Sequence, residues 1–109
     1  MAMLSNVPEA MRPLLPELAA SLGDYLLRVR QALARGDAPV AAEAAHAVKG
    51  AAMYYRLPVM ARVAGELEDR CRALSQAAPA GKGRTGVLAV LERAEAELAA
   101  LRAALEAGA

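Results

Sequence analysis

His46 is the only histidine in the chain, and it lies in the run Ala45-His46-Ala47-Val48-Lys49-Gly50-Ala51-Ala52. In a helix of about 3.6 residues per turn, positions three and four apart share a face. The imidazole, the Lys49 ammonium and the bare backbone of Gly50 therefore form one patch that combines a nucleophile, a cation and open space. Glycine inside a helix costs about 1 kcal/mol relative to alanine. Alanine is abundant in this chain, so composition does not account for Gly50, and its place beside the ring implies that something comes close.

The residue types around His46 argue against two chemistries. A metal centre would need further ligands. The chain has no second histidine, and its one cysteine, Cys71, falls in the apolar seam of a different helix. A hydrolytic site would need a Ser or Cys nucleophile and an orienting group on the same patch, and none is there. Glu43, one turn earlier, is within reach of the ring, but at that spacing a glutamate is ordinarily solvated. No P-loop or Gly-rich phosphate loop is present, so ATP chemistry is not expected of this chain.

The elements that must position this patch can be read from apolar spacing. Pro8, with Ser5 or Asn6 as a cap, followed by Pro13 and Pro16, predicts a short helix within residues 1–15 and a second starting near Pro16. Leu18, Leu22, Tyr25, Leu26, Val29 and Leu33 carry that second helix to Arg35, and Gly36 stops it. Asp37 is the expected N-cap of the histidine helix, with Pro39 in its first turn and Ala41, Ala44, Val48, Ala51 and Tyr55 along its inner face. Pro58 opens a helix with the seam Met60, Val63, Leu67, Cys71 and Leu74, and residues 77–86 read as a loop. Thr85 is the expected cap of a last helix bearing Leu88, Leu91, Ala94, Leu98, Leu101 and Leu105.

Each main helix has one apolar stripe and the connections are short. The expected fold is all-α: an up-down antiparallel four-helix bundle over residues 16–107 with a short additional N-terminal helix, in a single domain spanning residues 1–109. At about 100° per residue, His46 is roughly 160° from Val48 and points outward. Ala42, Glu43, Lys49, Gly50 and Met53 are expected on the same outer face.

Composition agrees with this architecture. Hydrophobic residues make up 57% of the chain, much of it alanine, with 3% aromatic and neither Phe nor Trp. This suits a thin aliphatic core between close helices rather than a sheet. Thirteen basic residues against 12 acidic ones give no field that would attract nucleic acid or an anionic membrane. No apolar stretch reaches the ~18 residues of a membrane span, and Met1 to Ser5 lack the form of a signal peptide, so a soluble, cytoplasmic chain is expected. One cysteine excludes an internal disulfide, and Cys71 reads as a small buried residue. Lys82, Gly83 and Arg84 read as a solvated loop.

The run Ala45-His46, Lys49-Gly50 and Ala51-Ala52 resembles the active motif of histidine-containing phosphotransfer (HPt) domains of multistep two-component phosphorelays. The Gly36-Asp37 turn and the Leu67-Glu68 pair stand where that family tends to have them, and the resemblance covers roughly residues 16–107. Two departures are Tyr55-Arg56-Leu57-Pro58, where the family often has a Leu-Gly-Ala-like segment, and Leu18, where many members have Phe. Histidine-kinase dimerisation helices also carry a phosphorylated histidine, but they usually follow it with an acidic residue and a Thr-Pro that this chain lacks.

The resemblance implies a phosphoryl carrier rather than an enzyme. His46 would take a phosphoryl group from a receiver-domain aspartate and pass it to another. Imidazole's unperturbed pKa of about 6.5 leaves it mostly neutral and nucleophilic at about pH 7.5. Lys49 would offset the added charge, and Gly50 would admit the partner's loops. Ala42, Glu43, Met53 and Arg56 would meet the partner, with Met53 as an apolar anchor. The partners implied are response-regulator receivers or a hybrid histidine kinase, with the catalytic magnesium on the receiver and no cofactor on this chain. A non-catalytic four-helix adaptor is the alternative reading.

Overall fold

Proline marks the entry of three of the four main helices, where a missing N–H costs nothing because the first turn has no intrahelical acceptor for it. The computed structural model describes residues 3–76 and 84–108. Helix α1 runs Leu15–Ala34 with Pro16 in its first turn, α2 runs Ala38–Tyr54 with Pro39 in its first turn, α3 runs Pro58–Gln76, and α4 runs Arg84–Gly108. The Asp37 carboxylate accepts from the Val40 N–H at 3.2 Å, which makes it the N-cap of α2.

Two helices end alike. The Asp37 N–H donates to the Ala32 carbonyl at 2.8 Å and the Gly36 N–H to Leu33 at 3.1 Å. At the end of α2, Leu57 N–H donates to Ala52 at 2.8 Å and Arg56 N–H to Met53 at 3.1 Å. Both are Schellman closures, which need a left-handed residue after the cap. Gly36 supplies it at φ +77°, and Arg56 supplies it at φ +60°.

Two expectations about helix starts are corrected. The N-terminal element is a 3-10 helix, Glu9–Leu14, and Pro8, rather than Ser5 or Asn6, holds its cap position. Its Pro13 and the adjoining Pro16 leave too few donors for a longer α-helix. Thr85 and Gly86 are not loop: they lie in the first turn of α4. Glycine and threonine suggested a break there, but Val87, Val90 and Leu91 are buried, and packing of that stripe carries the helix back past them. The rest of the expected loop, residues 77–83, lies outside the described residues.

The helices form a ring: α1 packs on α2, α2 on α3, α3 on α4 and α4 on α1, and among the described residues no backbone approach within 8 Å joins either diagonal. Side-chain pairs fix the direction. His46 meets Glu68 and Lys49 meets Gly65 across α2 and α3. Across α3 and α4, Glu66 meets Arg93 and Arg70 lies against Gly86. Arg30 meets Glu95 and Arg102 lies over Gly23 across α1 and α4. In each pair residue numbers rise on one helix as they fall on the other, so the bundle is up-down and antiparallel. Its extents are 46 × 19 × 19 Å.

The core is aliphatic. Leu15, Leu22, Leu26 and Val29 of α1, Met60, Leu67 and Cys71 of α3, and Leu91 and Leu101 of α4 are fully buried. Each buried leucine contributes about 2 kcal/mol. Helix α2 supplies mainly alanine: Ala41, Ala42, Ala44, Ala45 and Ala52 are buried around Val48. Such small side chains let α2 lie close to both α1 and α3. The expected inner positions Ala51 of α2, Tyr55 at its C-cap, Leu74 of α3, and Leu88 and Leu105 of α4 are only partly buried against the core.

Candidate functional site

Close packing on two sides leaves α2 a narrow outward strip. Glu43, His46, Gly50 and Met53 are exposed on it, following the three-four spacing of one helix face. Ala42 does not belong to this strip: it is buried at 1% exposure. A single inner stripe predicts Ala42 outside, but α2 has neighbours on both flanks, and the buried arc widens to include it. Ala42 is therefore withdrawn from the partner-contacting residues.

The imidazole of His46 is 63% exposed and is held from α3. Its Nδ1 lies 3.1 Å from Glu68 Oε2 and 3.2 Å from Oε1. Arg72, one turn further along α3, donates from Nε at 3.0 Å and Nη2 at 2.6 Å to Glu68 Oε2. Lys49 Nζ stands 4.0 Å from Glu68 Oε1, and its stem crosses α3 at Gly65, where a Cβ would rest 3.6 Å from Lys49 Cδ. One buried carboxylate thus gathers an imidazole, an ammonium and a guanidinium.

Burial pushes the Glu68 carboxyl up, but the hydrogen bonds and charges of Arg72 and His46 outweigh it and hold the group below the usual carboxylate range. Glu68 is accordingly ionised at neutral pH and can only accept. In the neutral ring the proton must then sit on Nδ1, a tautomer assigned from this hydrogen-bond geometry. Nε2 is left with a free lone pair, and no hydrogen bond among the described residues engages it. Gly50 leaves the space beside the ring open: a Cβ built there would meet nothing within 4 Å.

Of the residues singled out from sequence, His46, Lys49 and Gly50 are brought together. Glu43 is exposed and the ring pairs with Glu68 instead. Met53 is 60% exposed two turns beyond His46. Arg56 is exposed on the turn after α2. Glu68 and Arg72 were not identified as site residues. The sequence marks Glu68 only as half of the Leu67-Glu68 pair that the resemblance includes, and an arginine four residues on is a pairing that helix surfaces show routinely. Cys71 is buried and its thiol is pushed up to about 11, chiefly by burial, so it is no nucleophile at neutral pH. Among the described residues no group of three or more His, Cys, Asp or Glu is placed to hold a metal ion, and no helix is long and apolar enough to cross a membrane.

Comparison with known proteins gives one match. The family model described as Hpt domain matches residues 13–108. No curated protein and no solved structure matches the chain.

Proposed function

The chain belongs to the Hpt domain family, the histidine phosphotransfer modules of phosphorelays, and from that premise we propose that its phosphoryl-carrying atom is Nε2 of His46. The Nε2 lone pair attacks the phosphorus of a receiver's aspartyl phosphate. The N–P bond forms as the P–O bond breaks, and the aspartate leaves as a carboxylate. The ring gains positive charge because Nδ1 keeps its proton, and the Glu68 carboxylate at 3.1 Å is placed to offset it. Attack by a second aspartate carboxylate on the phosphorus reverses these bonds and returns a neutral ring.

Lys49 supplies a cation for the phosphoryl oxygens, and the gap at Gly50 admits the receiver's loops. Glu43, Met53 and Arg56 meet the partner. In this reading magnesium belongs to the receiver, the chain itself needs no cofactor, and the exchange takes place in the cytoplasm. The single observation that carries the proposal is the Glu68 contact to Nδ1, which frees the opposite nitrogen of an exposed ring.

Incubation with a receiver carrying labelled aspartyl phosphate tests it. Label is expected on the wild-type chain in an acid-labile, base-stable form, and His46→Gln is expected to abolish it. Label retained by His46→Gln would refute the site. Unchanged partner binding and signalling output in that variant would return the chain to the adaptor reading.

A further inference from the structure

Two helix exits with the same hydrogen-bond closure carry different residues at the left-handed position. Gly36 occupies one, and Arg56 occupies the other at φ +60°. Glycine takes this conformation without steric cost, whereas a Cβ does not. An outlier of this kind in a turn beside a site is a reason to ask what the side chain does.

The side chain has no structural task in the bundle. Arg30, Arg35, Arg70, Arg72 and Arg93 each have a carboxylate partner, whereas Arg56, like Arg28, Arg62 and Arg102, has none among the described residues. The Arg56 guanidinium makes no ion pair or hydrogen bond among the described residues. It lines instead a groove of about 390 Å³, together with Asn6 and the apolar residues Met53, Leu57, Pro58 and Ala61. Arg56 is the one charged residue of that lining. The groove is continuous with the His46 strip through Met53, which lies about 10 Å along the helix axis from His46. A protein partner covering about 800 Å² reaches roughly 16 Å from its centre, so a receiver with its aspartate over His46 covers the groove as well.

We propose that Arg56 is the specificity-determining charge of a receiver-docking groove. An apolar side chain of the receiver seats among Met53, Leu57 and Ala61, and a neighbouring carboxylate of the receiver pairs with Arg56. The charge selects among receivers, and a left-handed backbone at a non-glycine residue is what sets the side chain in that groove. This inference rests on the phosphotransfer reading above.

The test uses the full chain and the receiver domain that charges the wild type fastest. Arg56→Gly removes the backbone cost and the charge together, so Tm is expected to rise by roughly 4 °C. KM for the phosphorylated receiver is expected to rise about tenfold, with the loss falling on KM and not on kcat. Arg56→Lys keeps the cation and is expected to recover most of the wild-type KM, while Arg56→Glu weakens docking beyond Arg56→Gly. Wild-type KM in Arg56→Gly would overturn the inference and leave the phosphotransfer reading standing. A lower Tm in that variant would overturn it too, because the residue would then serve the fold. If the wild type takes label from no receiver, both readings fall.

Discussion

The protonation of one ring nitrogen decides what His46 can do, and that proton is fixed from outside its own helix. Free imidazole distributes its proton over both nitrogens, but an ionised Glu68 accepts only from Nδ1–H. Glu68→Gln replaces the acceptor with an amide that can also donate, so both tautomers become accessible. Nitrogen NMR is expected to show Nδ1–H in the wild type and a mixture in Glu68→Gln, with phosphoryl transfer slowed about tenfold, the effect typical of a group that orients a ligand or nucleophile. An unaltered tautomer or rate would remove Glu68 from the mechanism. The local part of this site was legible in the sequence because three- and four-residue spacing on a helix is itself geometry. Glu68 was not, because it meets His46 across 22 positions of chain and only the packing of α2 on α3 brings the two together.

At the level of elements, the ends of α1 and α2 and the start of α3 are legible in the sequence, whereas the caps of the first and last elements and the helix faces are not. Asp37, Gly36 and Pro58 act through the backbone within a turn, so their roles survive whatever packs around them. Gly36→Ala is expected to cost about 1 kcal/mol of stability, since φ +77° admits a Cβ only with strain, and urea denaturation is the measurement. A loss near zero would mean the turn relaxes. Faces depend on neighbours. Alanine carries little signal of inside or outside, and nearly half of α2 is alanine, so a single seam is expected where two flanks are covered, and Ala42 is expected on the wrong side. Thr85 shows the same limit at α4: its cap chemistry was plausible locally, but burial of Val87 and Val90 set where the helix lies.

Across the whole molecule, the ring of helices spreads its charge pairs over three of its four seams: Arg30 with Glu95, Arg93 with Glu66, and Glu68 with His46. Glu66 is held low by its hydrogen bond from Arg93, against desolvation. Glu68 is held low despite burial, by Arg72 and His46. Both fold with carboxyls below the ordinary value of 4.5, so the unfolded chain takes up protons first as pH falls. The stability these groups add is present above about pH 4.5 and is lost as pH drops through their folded values. Tm is therefore expected to fall by several degrees below about pH 4.5, and a Glu66→Gln, Glu68→Gln double variant to fall less steeply; equal slopes would assign acid sensitivity to other groups.

Because His46, Gly50 and Met53 share one strip of α2 and Arg56 follows at its end, a donor and an acceptor would occupy the same berth and could not sit on the chain together. On the proposed phosphotransfer reading, traffic would be sequential: the spent donor would have to depart before the next visitor could collect the cargo. Throughput is then governed by residence times, which mutations at protein contacts change more than they change encounter rates. A lingering, already discharged visitor would throttle the flow as effectively as a missing one.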